Sequence, residues 1–426
     1  MYSDVLLKAW AEDNRIQAPA MKNKPAFYRN LEKALDTRRQ TQSLMGLKPR
    51  WEDEVADFTT CDFLSLSRSG AVREAFLAEL ENHKGFDLSA AGSRIQYGNY
   101  EYLNQVEQEI ADFHGAESVY LTQSGFAANV AILSSVPLPG DAIVYDELVH
   151  ASSHEGFHLS VAEHKLPFTH NDPDSLRNVL TKLKNSVPEF KTGARSVLVC
   201  VESIYSMDGD VCVLQELIHV VKEEFPLGNA QFLVDEAHSI GVIGDRGCGL
   251  VSMLGLEKEI AIRIHVASKA LGSVGGMILC NKTIRYMLLN HARSVTFSCA
   301  PSFPMVASIR AGYQLLITGQ SRVAQETIQR NVKHFFGSLT TNPIWEEALT
   351  FNNMNAYPMV FPVVPKGESR LRLVFHAHNT LEEIDKLVSN ITEWAAEMLD
   401  IERGISESAL PKAARQLYAM QGSVGM

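Results

Sequence analysis

The chain has 426 residues, and 39 Lys and Arg against 50 Asp and Glu leave a formal charge of −11. With 46% hydrophobic residues it is too apolar for a disordered chain. It is too acidic to coat nucleic acid, which demands a basic excess, and no apolar run reaches the ~20 residues that span a bilayer. The length allows two or three domains with a sizeable core. The six cysteines are Cys61, Cys200, Cys212, Cys248, Cys280 and Cys299. They form no CxxC pair and have no His cluster beside them, so neither a disulfide framework nor a metal site is expected. Met1-Tyr2-Ser3-Asp4 does not open a secretory signal, and Gly422-Ser423-Val424-Gly425-Met426 carries no targeting tripeptide. A cytoplasmic location is the expectation.

Residues 1–55 are charged and helical in pattern. Leu31, Leu35 and Leu44 recur on one face, which predicts an N-terminal arm without its own core. From Phe58 short apolar runs alternate with helix-length polar segments. The runs are Ser118–Leu121, Ala142–Tyr145, Val197–Glu202, Gln231–Asp235, Ile262–Ala267 and Gly276–Cys280. Such alternation predicts an α/β domain over 56–297, with a mostly parallel sheet covered on both faces. After Phe297 a helical stretch from Met305 to Gly319 and onward is expected. A strand at Arg370–Phe375 and an amphipathic helix from Leu381 to about Leu399 follow, with Thr380 as N-cap. Residues 298–426 are expected to form a smaller α+β domain.

Four segments carry chemistry, and several of the apolar runs end in them, where open α/β sheets hold ligands. In Thr122-Gln123-Ser124-Gly125-Phe126 a strand opens into a helix of small residues, a cradle for an anion. Asp146-Glu147-Leu148-Val149-His150-Ala151-Ser152 places a His before two small residues. Val234-Asp235-Glu236-Ala237-His238-Ser239-Ile240-Gly241 delivers an acid and, three residues on, a His. In Ala267-Ser268-Lys269-Ala270-Leu271-Gly272 small and apolar neighbours flank a Lys, and burial favours the neutral amine that makes Schiff bases. Phosphate anchor, ring stacker, partner for a pyridine nitrogen, phenolate partner and amine are the parts that hold pyridoxal 5'-phosphate (PLP).

The chain resembles the α-oxoamine synthases, PLP enzymes of fold type I that include 8-amino-7-oxononanoate synthase and serine palmitoyltransferase. The resemblance runs from about Ala34 to Leu387. It rests on Ala34–Arg39, Ser124–Asn129, Asp146–Ser152, His170-Asn171-Asp172, Glu202–Asp210 (ESIYSMDGD), Asp235–Gly241, Ser268–Gly272 and Arg370-Leu371-Arg372. It implies a large domain with a seven-stranded, mostly parallel sheet and a small C-terminal domain. It further implies Lys269 as the Schiff-base lysine, Asp235 on the pyridinium nitrogen, His238 near the phenolate, and His150 stacked over the ring. Ser124, Gly125 and Phe126 match the phosphate turn. Ser206 and Asn99 match the substrate side, and Arg372 the arginine that holds the amino-acid carboxylate, for which a guanidinium fork is well shaped.

The implied reaction is a decarboxylative condensation of an α-amino acid with an acyl thioester of coenzyme A or an acyl carrier protein. It yields an α-amino ketone, CO₂ and free thiol. A homodimer with a shared active site is expected by the same resemblance. Three departures stand out. Val266 replaces a threonine that donates to the cofactor phosphate, which Ser268, or Thr296 or Ser298 from a neighbouring subunit, is expected to offset. The stretch from Asn342 to Phe361 is short. Ser43-Leu44-Met45-Gly46-Leu47 replaces a basic run of the biotin-pathway enzymes, which suits an uncharged acyl tail. The alternatives are 8-amino-7-oxononanoate synthase itself, another fold-type-I reaction such as transamination or aldol cleavage, and a non-catalytic subunit.

Overall fold

The computed structural model describes residues 15–41, 44, 46–47, 56–344, 372–412 and 414–415. The short 342–361 segment, Arg370, Ser43 and Met45 therefore lie wholly or mainly outside the described residues. Two compact units are present. The larger comprises Phe58–Asn331 with Val374–His378; the other comprises Met1–Asp57, Val332–Leu373 and Asn379–Met426.

In the smaller unit, helix α1 (Ala26–Gln40) ends before Leu44, so the expected apolar face stops at Leu35. Asp36 tethers the helix by accepting from Gln17 N at 2.9 Å and from Arg39.

The larger unit is built on helices α2 (Ala71–Asn82) and α3 (Glu101–His114) and a seven-stranded sheet. The strands are β1 (Ser118–Thr122), β2 (Ala142–Asp146), β3 (His164–Phe168), β4 (Val197–Glu202), β5 (Ala230–Asp235), β6 (Ile262–Val266) and β7 (Gly276–Cys280). Their order is β1-β7-β6-β5-β4-β2-β3, and β7 runs against the others. β3 is the strand that the apolar runs did not predict. Its sequence, His-Lys-Leu-Pro-Phe, carries a charge and a proline. As an edge strand paired only with β2, it loses no ladder bond at Pro167.

Both sheet faces are covered, which is why β4 is apolar from Val197 to Val201. In β4, Val199 and Val201 pack with Leu176, Leu180 and Leu183 of α6 (Pro173–Ser186) and Leu217 and Val221 of α7 (Leu214–Glu224). Leu198 and Cys200 pack on the other face. Their partners are Ile132 and Leu133 of α4 (Gly125–Ser135), Phe157 of α5 (Ala151–Leu159) and Leu288 of α8 (Lys282–His291).

Helix α9 (Phe303–Ile317) follows, earlier than the expected start at Met305. It belongs to the larger unit, not to the small domain expected from residue 298. Arg310 binds Glu79 of α2 and Glu109 of α3 at 2.8–2.9 Å, and Phe303 stacks on Phe86. A further helix spans Arg322–Thr340. The expected strand at Arg370–Phe375 does not form over its described part. Residues 372–376 run without ladder pairing, and Val374 N donates singly to Phe58 O at 2.9 Å. In the smaller unit, a helix over Leu381–Glu402 starts with Thr380 and Glu383 in a reciprocal capping box.

The join between β7 and the β1–α4 turn leaves no room for a side chain. A Cβ on Gly276 would stand 2.5 Å from Ser124 O. Gly276→Ala should cost about 1–3 kcal/mol by overpacking, read as a lower urea midpoint with an unchanged slope.

Candidate active site

The polar residues gather where β2, β4, β5 and β6 end. Asp235 closes β5 and is buried. Its Oδ2 accepts from Asn129 Nδ2 of α4 at 2.8 Å and its Oδ1 from Ala237 N at 2.9 Å. Its carbonyl accepts from Ser203 N at 2.8 Å. The turn that follows is held from beneath. Glu236, fully buried, accepts from Val251 N and from His265 Nε2, each at 3.0 Å, and Ser203 Oγ donates to Ser239 Oγ at 2.9 Å. Burial works against a charge at Glu236. The His265 hydrogen bond and field outweigh it, and its carboxyl lies below the ordinary carboxylate value.

This turn brings His238 to Lys269. Lys269 Nζ donates to His238 Nε2 at 2.7 Å, and Phe63 packs on the imidazole with ring centres 5.7 Å apart. Lys269 sits in a tight turn after β6. Ala267 N bonds Gly275 O and Ser273 N bonds Ala267 O, each at 2.9 Å, and Ala267, Ala270 and Leu271 are fully buried around it. Ser268 beside it is exposed.

His150 caps α5. Its Nδ1 accepts from Ser152 N at 3.2 Å and lies 2.7 Å from Ser152 Oγ, which leaves the ring proton on Nε2. Burial lowers its affinity for a second proton. The Asp235 charge opposes that, while Lys269 and His154 reinforce it, and the net direction is down. The imidazole is therefore held neutral.

Ser124 caps α4, its Oγ accepting from Ala127 N at 3.1 Å, and Gly125 and Phe126 are the first two helical residues. Their N–H groups have no intrahelical acceptor, as at any helix start. Val266 seals the other side: a Cβ on Gly125 would stand 2.3 Å from Val266 Cγ2. The bare backbone there fits a phosphate, the Asp235 carboxylate fits a protonated ring nitrogen, and the Lys269 amine fits a carbonyl. The donor set therefore matches PLP, apart from one hydroxyl replaced by valine methyls.

The loop that carries Ser206 is pinned by His170. Ile204 and Val211 form an isolated bridge, and Tyr205 N bonds Asp210 O at 3.0 Å. His170 Nδ1 bonds Asp146 Oδ1 at 2.9 Å and its Nε2 bonds Asp210 Oδ2 at 2.8 Å. Burial alone would lower the His170 value. The two carboxylate bonds outweigh burial and push it up to about 10. Asp210 correspondingly lies below its ordinary value: burial opposes its charge, and the His170 bond overcomes that.

Of the remaining residues singled out by sequence, Asn99 lies on the exposed loop before α3, where its Oδ1 accepts from Arg94 Nε at 2.9 Å. Thr296 Oγ1 donates to Ala292 O at 3.1 Å, and Ser298 Oγ donates to Ser294 O. Within the chain, both hydroxyls are thus spent on their own segment. Arg372 belongs to the smaller unit. Asn129, Glu202 and His170 lie in stretches that carry the resemblance but were given no role there. Asn129 stands one helical turn after Gly125, and that spacing from the anion cradle was the available signal.

The aminotransferase class I and II family profile matches residues 53–362. An aminoacyl transferase sphA of Aspergillus fumigatus is 45% identical over 97% of each chain. An 8-amino-7-oxononanoate synthase of Emericella nidulans is 40% identical over 80% of this chain and 90% of its own. Among solved structures, a serine palmitoyltransferase of S. paucimobilis with a bound PLP–myriocin aldimine is 25% identical. It superposes with a TM-score of 0.67 over 79% of this chain and 86% of that one.

Two predictions follow from the geometry. His170, whose folded value is raised, contributes stability that is fully present below roughly pH 6.5 and is lost as the pH rises toward about 10. The gap in urea midpoint between wild type and His170→Asn should be wide at pH 6 and nearly closed by pH 10. Val266→Thr should tighten PLP by about tenfold, the worth of one charge-assisted hydrogen bond, in a cofactor titration of the apoenzyme.

Proposed function

The chain belongs to the α-oxoamine synthases, within the class I and II aminotransferases, and from that premise we propose which residues carry its reaction. The activity is a PLP-dependent decarboxylative condensation of an α-amino acid with an acyl thioester. The bound cofactor supplies an electron sink for the carbanion formed at the amino-acid Cα. The observation that supports the residue assignment is the 2.7 Å pair of Lys269 and His238 beside a twice-bonded, buried Asp235.

Lys269 would tether the cofactor, and its amine, once displaced by substrate, would remove the Cα proton. His238 Nε2 is close enough to take that proton from Nζ and return it when the product carbon is protonated. Asp235 would keep the ring nitrogen charged. The Gly125 and Phe126 amides would take the phosphate. His150, neutral and with its proton on Nε2, would face the cofactor ring and could donate to the thioester carbonyl as negative charge develops there. The forked guanidinium of Arg372 holds the substrate carboxylate, with Ser206 and Asn99 on the substrate side.

We read the acyl donor as an uncharged chain carried by coenzyme A or by a carrier protein. The absence of arginine from 43–47 supports this, as does the serine palmitoyltransferase likeness. We read the protein as a homodimer that shares its site between subunits. Ala300 N bonds Gly92 O at 2.9 Å, so exposed Ile95, Tyr97 and Phe297 lie on neighbouring segments and offer an apolar face. A cytoplasmic location agrees with the free cysteines and with the lack of a membrane-crossing helix among the described residues.

Thiol release should require both an amino acid and an acyl thioester; release of keto acid from the amino acid alone would point to transamination. Use of a pimeloyl thioester alone would favour 8-amino-7-oxononanoate synthesis. Lys269→Ala should lose about 10³-fold or more in rate, and a comparable rate in that variant would overturn the assignment. Arg372→Lys should raise KM for the amino acid by about tenfold with little change in kcat.

A further inference from the structure

Glu202 is the last residue of β4, and the ladder sets it opposite Asp235, the last residue of β5. Two carboxyl groups thus occupy adjacent strand ends, whose backbones run about 4.8 Å apart. Glu202 is 5% exposed and Asp235 is 7% exposed. The two are not equivalent. Asp235 takes one N–H donor on each oxygen, the environment of a carboxylate. Glu202 takes one donor: His150 N–H meets its Oε1 at 2.5 Å, while Oε2 takes no donor among the described residues.

The His150 N–H would otherwise lack an acceptor. His150 follows the end of β2 and starts α5, so its amide belongs to neither the ladder nor the helix, and Glu202 reaches across from the next strand to meet it. The position of the His150 ring therefore depends on Glu202. The groups that act on Glu202 come from every neighbouring element. They are Asp235 of β5, the His150 amide, Lys269 after β6, Asp146 of β2 and Tyr205 of the following loop. Burial raises the Glu202 carboxyl well above the ordinary carboxylate range. The Asp235 charge adds to this, and the His150 amide and Lys269 do not cancel it. A second anion at this point would hold Lys269 as an ammonium and His150 as an imidazolium, forms that cannot take up a proton.

We propose that Glu202 is a positioning residue for the condensation, anchoring the His150 backbone beside Asp235 as a neutral carboxylic acid and adding no second negative charge to the site. The inference rests on the reading of His150 and Asp235 given above, and its first test needs no turnover.

The infrared difference spectrum of wild-type minus Glu202→Gln holoenzyme at pH 7 should contain the C=O band of a protonated carboxyl group. A spectrum with carboxylate bands only would overturn the proposal, whatever reaction the enzyme performs. In kinetics, Glu202→Gln keeps both the acceptor for His150 and the neutral charge. It should retain kcat/KM within about threefold, with a pH profile moved by less than about half a unit. Glu202→Ala should lose about tenfold or more, mainly in kcat, through misplacement of His150. A loss in Glu202→Gln as large as in Glu202→Ala, or a pH profile displaced by about one unit or more, would overturn it. If Glu202→Ala does not fold, the spectrum and the Glu202→Gln profile still decide.

Discussion

A buried carboxylate at the end of a parallel strand is the constraint around which this protein is arranged. Taking a charge out of water costs several kcal/mol unless donors replace the lost solvent. For Asp235 those donors are Asn129 and the amide of Ala237, so α4 and the 236–241 turn are both committed to one side chain. The same helix start that presents Gly125 and Phe126 to an anion thus also supplies Asn129 to the carboxylate. On the proposed assignment, a single helix would thus hold the phosphate site and the ring-nitrogen site in one relation.

The turn needs its own support. Glu236, Ser239, Ser203 and His265 form a buried hydrogen-bonded set beneath it, and Tyr313 Oη lies 3.2 Å from His265 Nδ1. A partly satisfied network of this kind would be costly. Here the bonds fix the backbone from Asp235 to Gly241, so His238 reaches Lys269 without searching. On the far side His170, bridging Asp146 and Asp210, performs the same service for the loop of Ser206. The site is assembled from strand ends and pinned loops, with its flexible side chains kept short of freedom by buried polar contacts.

Val266 shows how such a scaffold absorbs a change. Its methyls fill the space against the bare Gly125 backbone, so packing is kept where a hydroxyl is given up. On the proposed assignment the alteration bears on cofactor affinity, while Lys269, in the turn that follows Val266, keeps its 2.7 Å contact with His238.

The amino-acid sequence by itself determined the layered α/β class, because both-face burial writes short, mainly apolar runs into the strands, as in β4. It also marked the candidate chemical side chains, because Lys269, Asp235, His238 and His150 each follow such a run, where strand gives way to turn. It did not reveal β3, whose edge position tolerates Pro167, nor the inclusion of α9 in the larger unit, which depends on Arg310 meeting Glu79 and Glu109 across the fold. The partners of Asp235, Glu202 and His170 were likewise decided by tertiary structure. Asn129 lies 106 residues from Asp235, Glu202 lies 52 from His150, and His170 lies 40 from Asp210. Local pattern sets a residue's type and element, but hydrogen bonds over such separations exist only once strand order and register have brought the ends together.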